Sequence, residues 1–121
     1  SGRGMTTPLS HTGPRGVIER FVAAANAFDV ETALALFAGD AEISDISVGE
    51  TCTGTSGVRR YLEQYFVAYH TASSIISVDV VDPFRAKAHL DFTGDFGHET
   101  GVLDVTIDTE GRIATVSADL D

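Results

Sequence analysis

The period of the hydrophobic pattern changes along the chain, and this change constrains the fold more than any other feature. Before Tyr69, with one interruption around Asp45, apolar residues recur at spacings of three and four, as on one face of a helix. From Ser74 onward they recur at every second position, as on one face of a β-strand. We therefore expect an α+β fold with helices in the first half and a sheet in the second.

Three helices are predicted in the first half. Pro14 suits the first turn of the first helix, Asp29 the N-cap of the second, and Thr55 or Ser56 the N-cap of the third. Gly39 is expected to end the second helix. The apolar faces consist of Val17, Ile18, Phe21, Val22, Ala25 and Phe28 in the first helix, Val30, Ala33, Leu34 and Phe37 in the second, and Val58, Leu62, Tyr65, Phe66 and Tyr69 in the third.

Five strands are predicted, and they are expected to form a curved antiparallel sheet with the helices gathered on one face. The first strand, 41–48, interrupts the helical half, and a turn-rich connection over 49–54 follows it. The inward-facing residues of the later strands are Ile76, Val78 and Val80 in 74–82, Ala86, Ala88, Leu90 and Phe92 in 85–92, and Leu103, Val105 and Ile107 in 98–108, before a closing strand over 112–120. Tight turns are predicted at 94–97 and 109–111.

Length and composition indicate one domain, 14–121, behind a disordered arm over residues 1–13. The first four residues resemble a cloning remnant before a native Met5. The net charge of −10 argues against partners such as nucleic acid or an anionic membrane, which require clustered Lys and Arg. No apolar run approaches the roughly 18 residues of a membrane span. A cytoplasmic location is expected.

The sequence does not favour a metal or a cofactor. None of the four histidines belongs to a pair at metal-ligand spacing, and no Gly-rich phosphate loop follows a strand. Cys52 is the only cysteine, so it has no disulfide partner within the chain, and no nucleophile motif surrounds it. We expect neither a metal site nor a bound cofactor.

Asp45 is the strongest candidate in the sequence for a catalytic residue. In a strand over 41–48 it shares a face with Ala41 and Ile43, which places an acid on an apolar face. Burial there requires a hydrogen bond, an ion pair or a wet cavity, whereas a strand end would leave Asp45 in solvent. A partly desolvated carboxylate is a suitable base for taking a proton next to a carbonyl group.

Four segments resemble the nuclear transport factor 2-like superfamily, and within it the steroid ketoisomerase and SnoaL-type polyketide cyclase branch. They are VIERFVAAANAFD (17–29), ALFAGDA (35–41), ISD (43–45) and GTSGVR (54–59). The resemblance implies a cystatin-like, cone-shaped half-barrel whose three helices pack on the concave face of the sheet around an apolar pocket. It also implies a homodimer.

The resemblance assigns roles to individual positions. Asp45 matches the proton-shuttling base of the ketosteroid isomerases. The oxyanion-hole tyrosine on the first helix corresponds to Phe21, and the oxyanion-hole acid corresponds to Leu103, or to Asp104 if the register slips. A third family tyrosine corresponds to Leu62. The base is thus retained, whereas the hydrogen-bond donors that stabilise an enolate are replaced, so true ketosteroid isomerase activity is not expected.

Three functions remain open at this point. The chain could be an isomerase or cyclase that uses Asp45 as general base on a carbonyl compound, helped by a donor such as Tyr61, Tyr65, Tyr69 or His89. It could instead bind a small hydrophobic molecule without turnover, or serve as a dimerising interaction module. The residues expected to line the pocket are Phe21, Phe37, Tyr61, Leu62, Tyr65, Phe66, Leu90 and Leu103.

Overall fold

The computed structural model describes residues 13–121, so the predicted arm, apart from Gly13, lies outside the described residues. Residues 13–121 form three helices and six strands in an α+β arrangement. The helices are α1 (Pro14–Asn26), α2 (Val30–Leu34) and α3 (Gly54–Leu62), the last extended by a π-helical turn (Glu63–Val67). The strands are β1 (Phe37–Asp45), β2 (Glu50–Thr53), β3 (Ala72–Asp82), β4 (Arg85–Gly94), β5 (Gly97–Ile107) and β6 (Ile113–Leu120).

The six strands form one sheet in the order β2-β1-β6-β5-β4-β3. All neighbours pair antiparallel except β1 and β6, which are parallel. The sequence-based expectation of a wholly antiparallel sheet is wrong at this pair. Local alternation shows which face of a strand is apolar, but it does not show which distant strand lies beside it.

The helices pack against the sheet and enclose the core between the two layers. Helix α1 contacts β3, β4 and β5, while α3 contacts β1 and β2. The predicted alternation on β4 and β5 is confirmed, because the residues predicted to face inward on these two strands are all buried. Asp29 caps α2 as predicted, since its carboxylate accepts hydrogen bonds from the backbone N–H and the hydroxyl of Thr32.

The predicted second helix is too long. It ends at Leu34. Phe37, predicted on its apolar face, and Gly39, predicted at its C-terminal end, lie in β1 instead. The reason is tertiary, because the backbone N–H of Ile113 donates to the Leu36 carbonyl (2.8 Å) and draws this segment onto β6. The segment predicted as a connection over 49–54 contains the short strand β2, which pairs with β1.

A β-bulge in β3 changes the predicted inward face of that strand. Ile75 pairs with Leu90 and Ser77 with His89, so Ile76 is the extra residue and is exposed. The bulge moves Ile75 onto the core-facing side and shifts the alternation by one residue. Val78 packs against the core as predicted, whereas Ile76 and Val80, also predicted to face inward, are exposed.

No helix among residues 13–121 is long and apolar enough to cross a membrane.

Candidate functional site

Asp45 is the last residue of β1 and lies on the same buried face as Ala41 and Ile43. Its carboxylate is only 8% exposed and accepts three hydrogen bonds. Ser47 donates to Oδ1 through its backbone N–H (3.0 Å) and its hydroxyl (2.5 Å), and the Tyr61 hydroxyl donates to Oδ2 (2.5 Å). A carboxylate has about four acceptor positions, so these donors leave one for a ligand.

The tyrosine that meets Asp45 belongs to α3 and lies outside the helical stripe predicted from the sequence. Val58, Leu62 and Phe66 form the buried stripe as predicted, whereas Tyr61 is turned toward the end of β1. The residue matched to the third family tyrosine was Leu62, one position later. Leu62 instead packs in the core, on the side of α3 that borders α1 and α2.

The environment of Tyr61 keeps its hydroxyl protonated. Burial raises the pKa of the Tyr61 phenol far above its ordinary value, and the hydrogen bond to Asp45 and the charge of that carboxylate raise it further. An ionised phenolate beside a carboxylate would be strongly disfavoured at this site. Tyr61 therefore acts as a fixed hydrogen-bond donor to Asp45.

A cavity of about 330 Å³ adjoins Asp45. Its volume is at the lower end of the range of about 300–1,000 Å³ that is usual for small-molecule pockets. Exposed residues such as Val48, Glu99 and Leu120 are among those that line it, so it opens to solvent. The remaining lining side chains are mainly aromatic and aliphatic, and they include Phe21, Phe37, Ile43, Tyr61, Tyr65, Phe66, Tyr69, Phe92, Phe96, Val102, Leu103 and Val116.

One side of the opening is held by a contact between the β4–β5 hairpin and the segment after α3. The backbone N–H of Asp95 donates to the Tyr69 carbonyl (2.9 Å), and the rings of Tyr69 and Phe96 meet edge to face at 6.2 Å. Gly94 allows this approach, since a Cβ there would come within 2.8 Å of the Tyr69 carbonyl oxygen. Both rings line the cavity and are partly exposed.

The structure brings most of the sequence-predicted pocket residues to this cavity. Phe21, Phe37, Tyr61, Tyr65, Phe66 and Leu103 all line it, beside Asp45. Leu62 and Leu90 do not, since Leu62 is buried on the side of α3 that borders α1 and α2, and Leu90 is fully buried in β4. The sequence reasoning missed Ser47 as a hydrogen-bond donor to Asp45. The Asp-x-Ser spacing just after an apolar strand was the signal that could have identified it.

The two positions matched to oxyanion donors carry apolar side chains in the cavity. Phe21 meets the rings of Phe37 and Phe66 edge to face, at 5.8 and 5.9 Å. Leu103 lines the cavity, and the alternative Asp104 lies on the other face of β5 in a bidentate ion pair with Arg85 (2.9 and 2.6 Å). The register therefore places Leu103, not Asp104, in the cavity.

Of the other hydroxyl and imidazole donors considered, only the tyrosines line the cavity. Tyr65 lies between Tyr61 and Tyr69, with ring centroids 4.8 and 6.3 Å away. Its hydroxyl has no hydrogen-bond partner among residues 13–121. His89 does not line the cavity and bonds to Asp121 (3.1 Å).

Tyr61→Phe is expected to lower the free energy of unfolding at pH 7 by about 1–3 kcal/mol, because it leaves a buried carboxylate with one donor fewer. Chemical denaturation of both proteins measures the difference. Tyr65→Phe is the matched control, since it removes a tyrosine hydroxyl that no described residue bonds, and we expect a change of at most about 0.5 kcal/mol.

The pH dependence of the free energy of unfolding provides a second test of the Tyr61–Asp45 hydrogen bond. A phenol whose pKa is raised by folding contributes stability that is present below about pH 10 and is lost as the pH rises further. The wild-type free energy of unfolding should therefore fall above this pH more steeply than that of Tyr61→Phe. Equal slopes, or equal stabilities at pH 7, would show that the Tyr61–Asp45 hydrogen bond is energetically unimportant.

The described residues contain no group of three or more His, Cys, Asp or Glu side chains that could hold a metal ion. Cys52 is buried in β2, where burial raises the pKa of its thiol above the ordinary value and the Arg60 guanidinium opposes that shift. A raised thiol pKa does not favour a nucleophilic role for this residue.

Comparison with known proteins agrees with this fold. A candidate ketosteroid isomerase from Kribbella flavida superposes with a TM-score of 0.79 at 18% identity, over 93% of this chain and 78% of that chain. A candidate polyketide cyclase from Sinorhizobium meliloti gives 0.76 at 22% identity, over 84% and 92%. A Mycobacterium tuberculosis protein in complex with estradiol-17β-hemisuccinate gives 0.74 at 19% identity, over 84% and 88%.

At these identities the solved structures show a shared fold and no more. The fold seen in them is the half-barrel that the sequence resemblance implied. No curated protein matches the sequence significantly. The family model of the SnoaL-like domain, however, matches residues 18–117, which is most of the sequence. The chain therefore belongs to the SnoaL-like domain family.

Proposed function

We propose that the chain binds a small, largely apolar carbonyl compound in the cavity and that Asp45 moves a proton on it, as in an isomerase or a cyclase. The observation that carries this proposal is the position of Asp45. It is the only buried carboxylate in the part of the chain that the structure describes, and it lines a cavity that is otherwise mainly apolar. A carboxylate in such surroundings is a common general base.

The proposed step is removal of a proton next to the carbonyl group of the bound compound. Asp45 takes the proton from carbon, the electrons shift toward the carbonyl oxygen, and an enolate forms. Where a carbon–carbon double bond is conjugated with the enolate, returning the proton from Asp45 to the far carbon moves that double bond and completes an isomerisation. Alternatively, the enolate carbon attacks a second carbonyl, and the alkoxide that forms takes the proton back from Asp45, which completes a cyclisation. Tyr61 and Ser47 hold the Asp45 carboxylate in place during this step.

The enolate oxygen needs a hydrogen-bond donor, since such donors supply several kcal/mol of transition-state stabilisation. Tyr61 already donates to Asp45, which leaves Tyr65 and Tyr69 as the tyrosines that line the cavity. Tyr65 is the better candidate, because it is the more buried and its ring lies closer to that of Tyr61, with centroids 4.8 Å apart. We propose it as the electrophilic partner of Asp45.

A passive binding function is the second candidate, and a specific observation favours it. Phe21 and Leu103 occupy the positions where the resemblance implies oxyanion donors, and both line the cavity. Three hydrogen bonds to Asp45 also stabilise a carboxylate without any reaction. In that case Asp45 accepts a hydrogen bond from a ligand and no proton is transferred to it.

The expected homodimer and cytoplasmic location remain predictions. Sedimentation of the purified chain would check whether it is a dimer.

A thermal-shift screen against steroids, planar phenols and aromatic ketones is expected to yield ligands that stabilise the folded chain. A ligand at about 100 times its dissociation constant adds roughly 2.7 kcal/mol to the free energy of unfolding. Ala118→Leu should abolish the shift, because Ala118 lines the cavity and a larger side chain there fills it.

Ala114→Leu is the matched control, since it makes the same change on the same strand outside the cavity lining. It should leave the shifts intact. If no compound stabilises the wild type, or if Ala118→Leu responds like the wild type, the cavity is not a ligand site.

A further inference from the structure

We infer that the cavity selects its ligand by charge, and that the ligand carries a protonated amine on its apolar skeleton. This inference rests on the proposed function and narrows the class of its substrate. The starting observation is the set of ionisable side chains that line the cavity. Two are carboxylates whose side chains face it, namely Asp45 and Glu99, and none is a lysine, arginine or histidine. Asp119 also borders the cavity, but its register puts its side chain on the other face of the sheet, with that of Asp104.

These two carboxylates are not neutralised by neighbouring cations. The described chain contains eight ion pairs, and none includes a residue that lines the cavity. By contrast Glu31, Glu50 and Asp104, outside the cavity, each pair with an arginine. The cavity therefore has a negative potential, to which the net charge of −10 adds.

The charges lie at two depths. Asp45 is buried at the end of β1, whereas Glu99 lies on an exposed stretch of β5. Apolar walls separate charge from solvent and strengthen its field inside the cavity. An anion would be repelled at both depths. A cation would be attracted at the opening, beside Glu99, and the free acceptor position on Asp45 would remain for the proposed proton transfer.

The aromatic lining also favours a cation. Tyr61, Tyr65 and Tyr69 follow one another at ring-centroid distances of 4.8 and 6.3 Å, and all three line the cavity. Ring faces attract ammonium groups when the charge lies within about 6 Å of the centroid. A protonated amine is thus favoured by the carboxylates and by the tyrosines, while the remaining apolar lining accommodates the hydrocarbon part.

Three naphthalene derivatives of similar shape test this inference at pH 7. They are 2-naphthylmethylamine, which is protonated, 2-naphthalenemethanol, which is neutral, and 2-naphthoic acid, which is ionised. Dissociation constants are measured on the full chain by chemical-shift perturbation at low salt, and Ala118→Leu shows whether binding is in the cavity. We expect the amine to bind at least about tenfold more tightly than the acid, with the alcohol between them.

The source of the selectivity is tested with two single variants that change the net charge equally. Glu99→Gln removes the exposed carboxylate that faces the cavity, and it should reduce the ratio of the amine affinity to the acid affinity by at least about threefold. Glu42→Gln removes an exposed carboxylate that does not line the cavity, and it should leave this ratio unchanged. Because salt screens exposed charges, 0.5 M salt should also lower the ratio of the amine affinity to the acid affinity.

Several results would overturn the inference, and they are distinguishable. If the alcohol binds in the cavity and the acid binds as tightly as the amine, charge selection fails while the proposed ligand cavity remains. If Glu99→Gln and Glu42→Gln change the affinity ratio equally, the selectivity belongs to the whole molecule and not to the lining. If none of the three compounds perturbs the cavity resonances, the inference and the proposed function fail together.

Discussion

Asp45→Asn is expected to reduce proton transfer on a bound ketone by about 10²- to 10⁴-fold, which is the usual contribution of a positioned general base. The amide is similar in shape to the carboxylate but has little basicity, so the variant should still bind the ligand. The measurement is exchange of the α-protons of a ketone from the ligand screen, followed by NMR in D₂O. The wild type should exchange them faster than buffer alone.

Asp79→Asn is the control for this substitution, because Asp79 is exposed on β3 and does not line the cavity. It should exchange protons at the wild-type rate. If Asp45→Asn also retains that rate, Asp45 is not the base. If the wild type binds ketones without accelerating exchange, the passive binding function is the correct one.

Leu62→Ala is expected to lower the free energy of unfolding by about 2–5 kcal/mol, as for other leucines buried in a close-packed core. Leu62 is 2% exposed, belongs to the hydrophobic core and lies beside residues of α1 and α2, such as Ala25 and Ala33. Leu103→Ala is the matched comparison, because Leu103 lines the cavity and already faces open space. It makes fewer packing contacts that can be lost, so its truncation should be less destabilising.

Denaturant titration of the two variants measures this difference. The effects on ligand affinity should have the opposite order, because Leu103→Ala should change the affinity more than Leu62→Ala. Equal stability losses, or a larger effect of Leu62→Ala on ligand affinity, would contradict the assignment of Leu62 to the core and Leu103 to the cavity wall.

The parts of the fold that the sequence predicts are those encoded by local periodicity. Every inward residue predicted on β4, from Ala86 to Phe92, is buried, and α1 begins at Pro14 as its composition indicates. The Asp29 cap was also predictable, because an N-cap is a contact between residues three apart. In each case the signal and the structure lie within one element.

The features that the sequence did not predict depend on distant residues. Phe37 follows a helical pattern but joins β1, because β6 pairs with it. The bulge at Ile76 shifts the alternation of β3, and no local pattern marks its position. The contact between Asp45 and Tyr61 likewise requires the packing of α3 on β1, although each residue had been considered separately.

The position of β6 has a consequence for the order in which the domain assembles. β6 is the last strand of the sheet to be synthesised, yet it lies between β1 and β5. During translation β1 therefore has no partner on that side until almost all of the described chain has left the ribosome. Such non-local pairing slows folding, and an unpaired strand edge invites association with other chains. We expect the nascent chain to depend on chaperones until β6 is inserted.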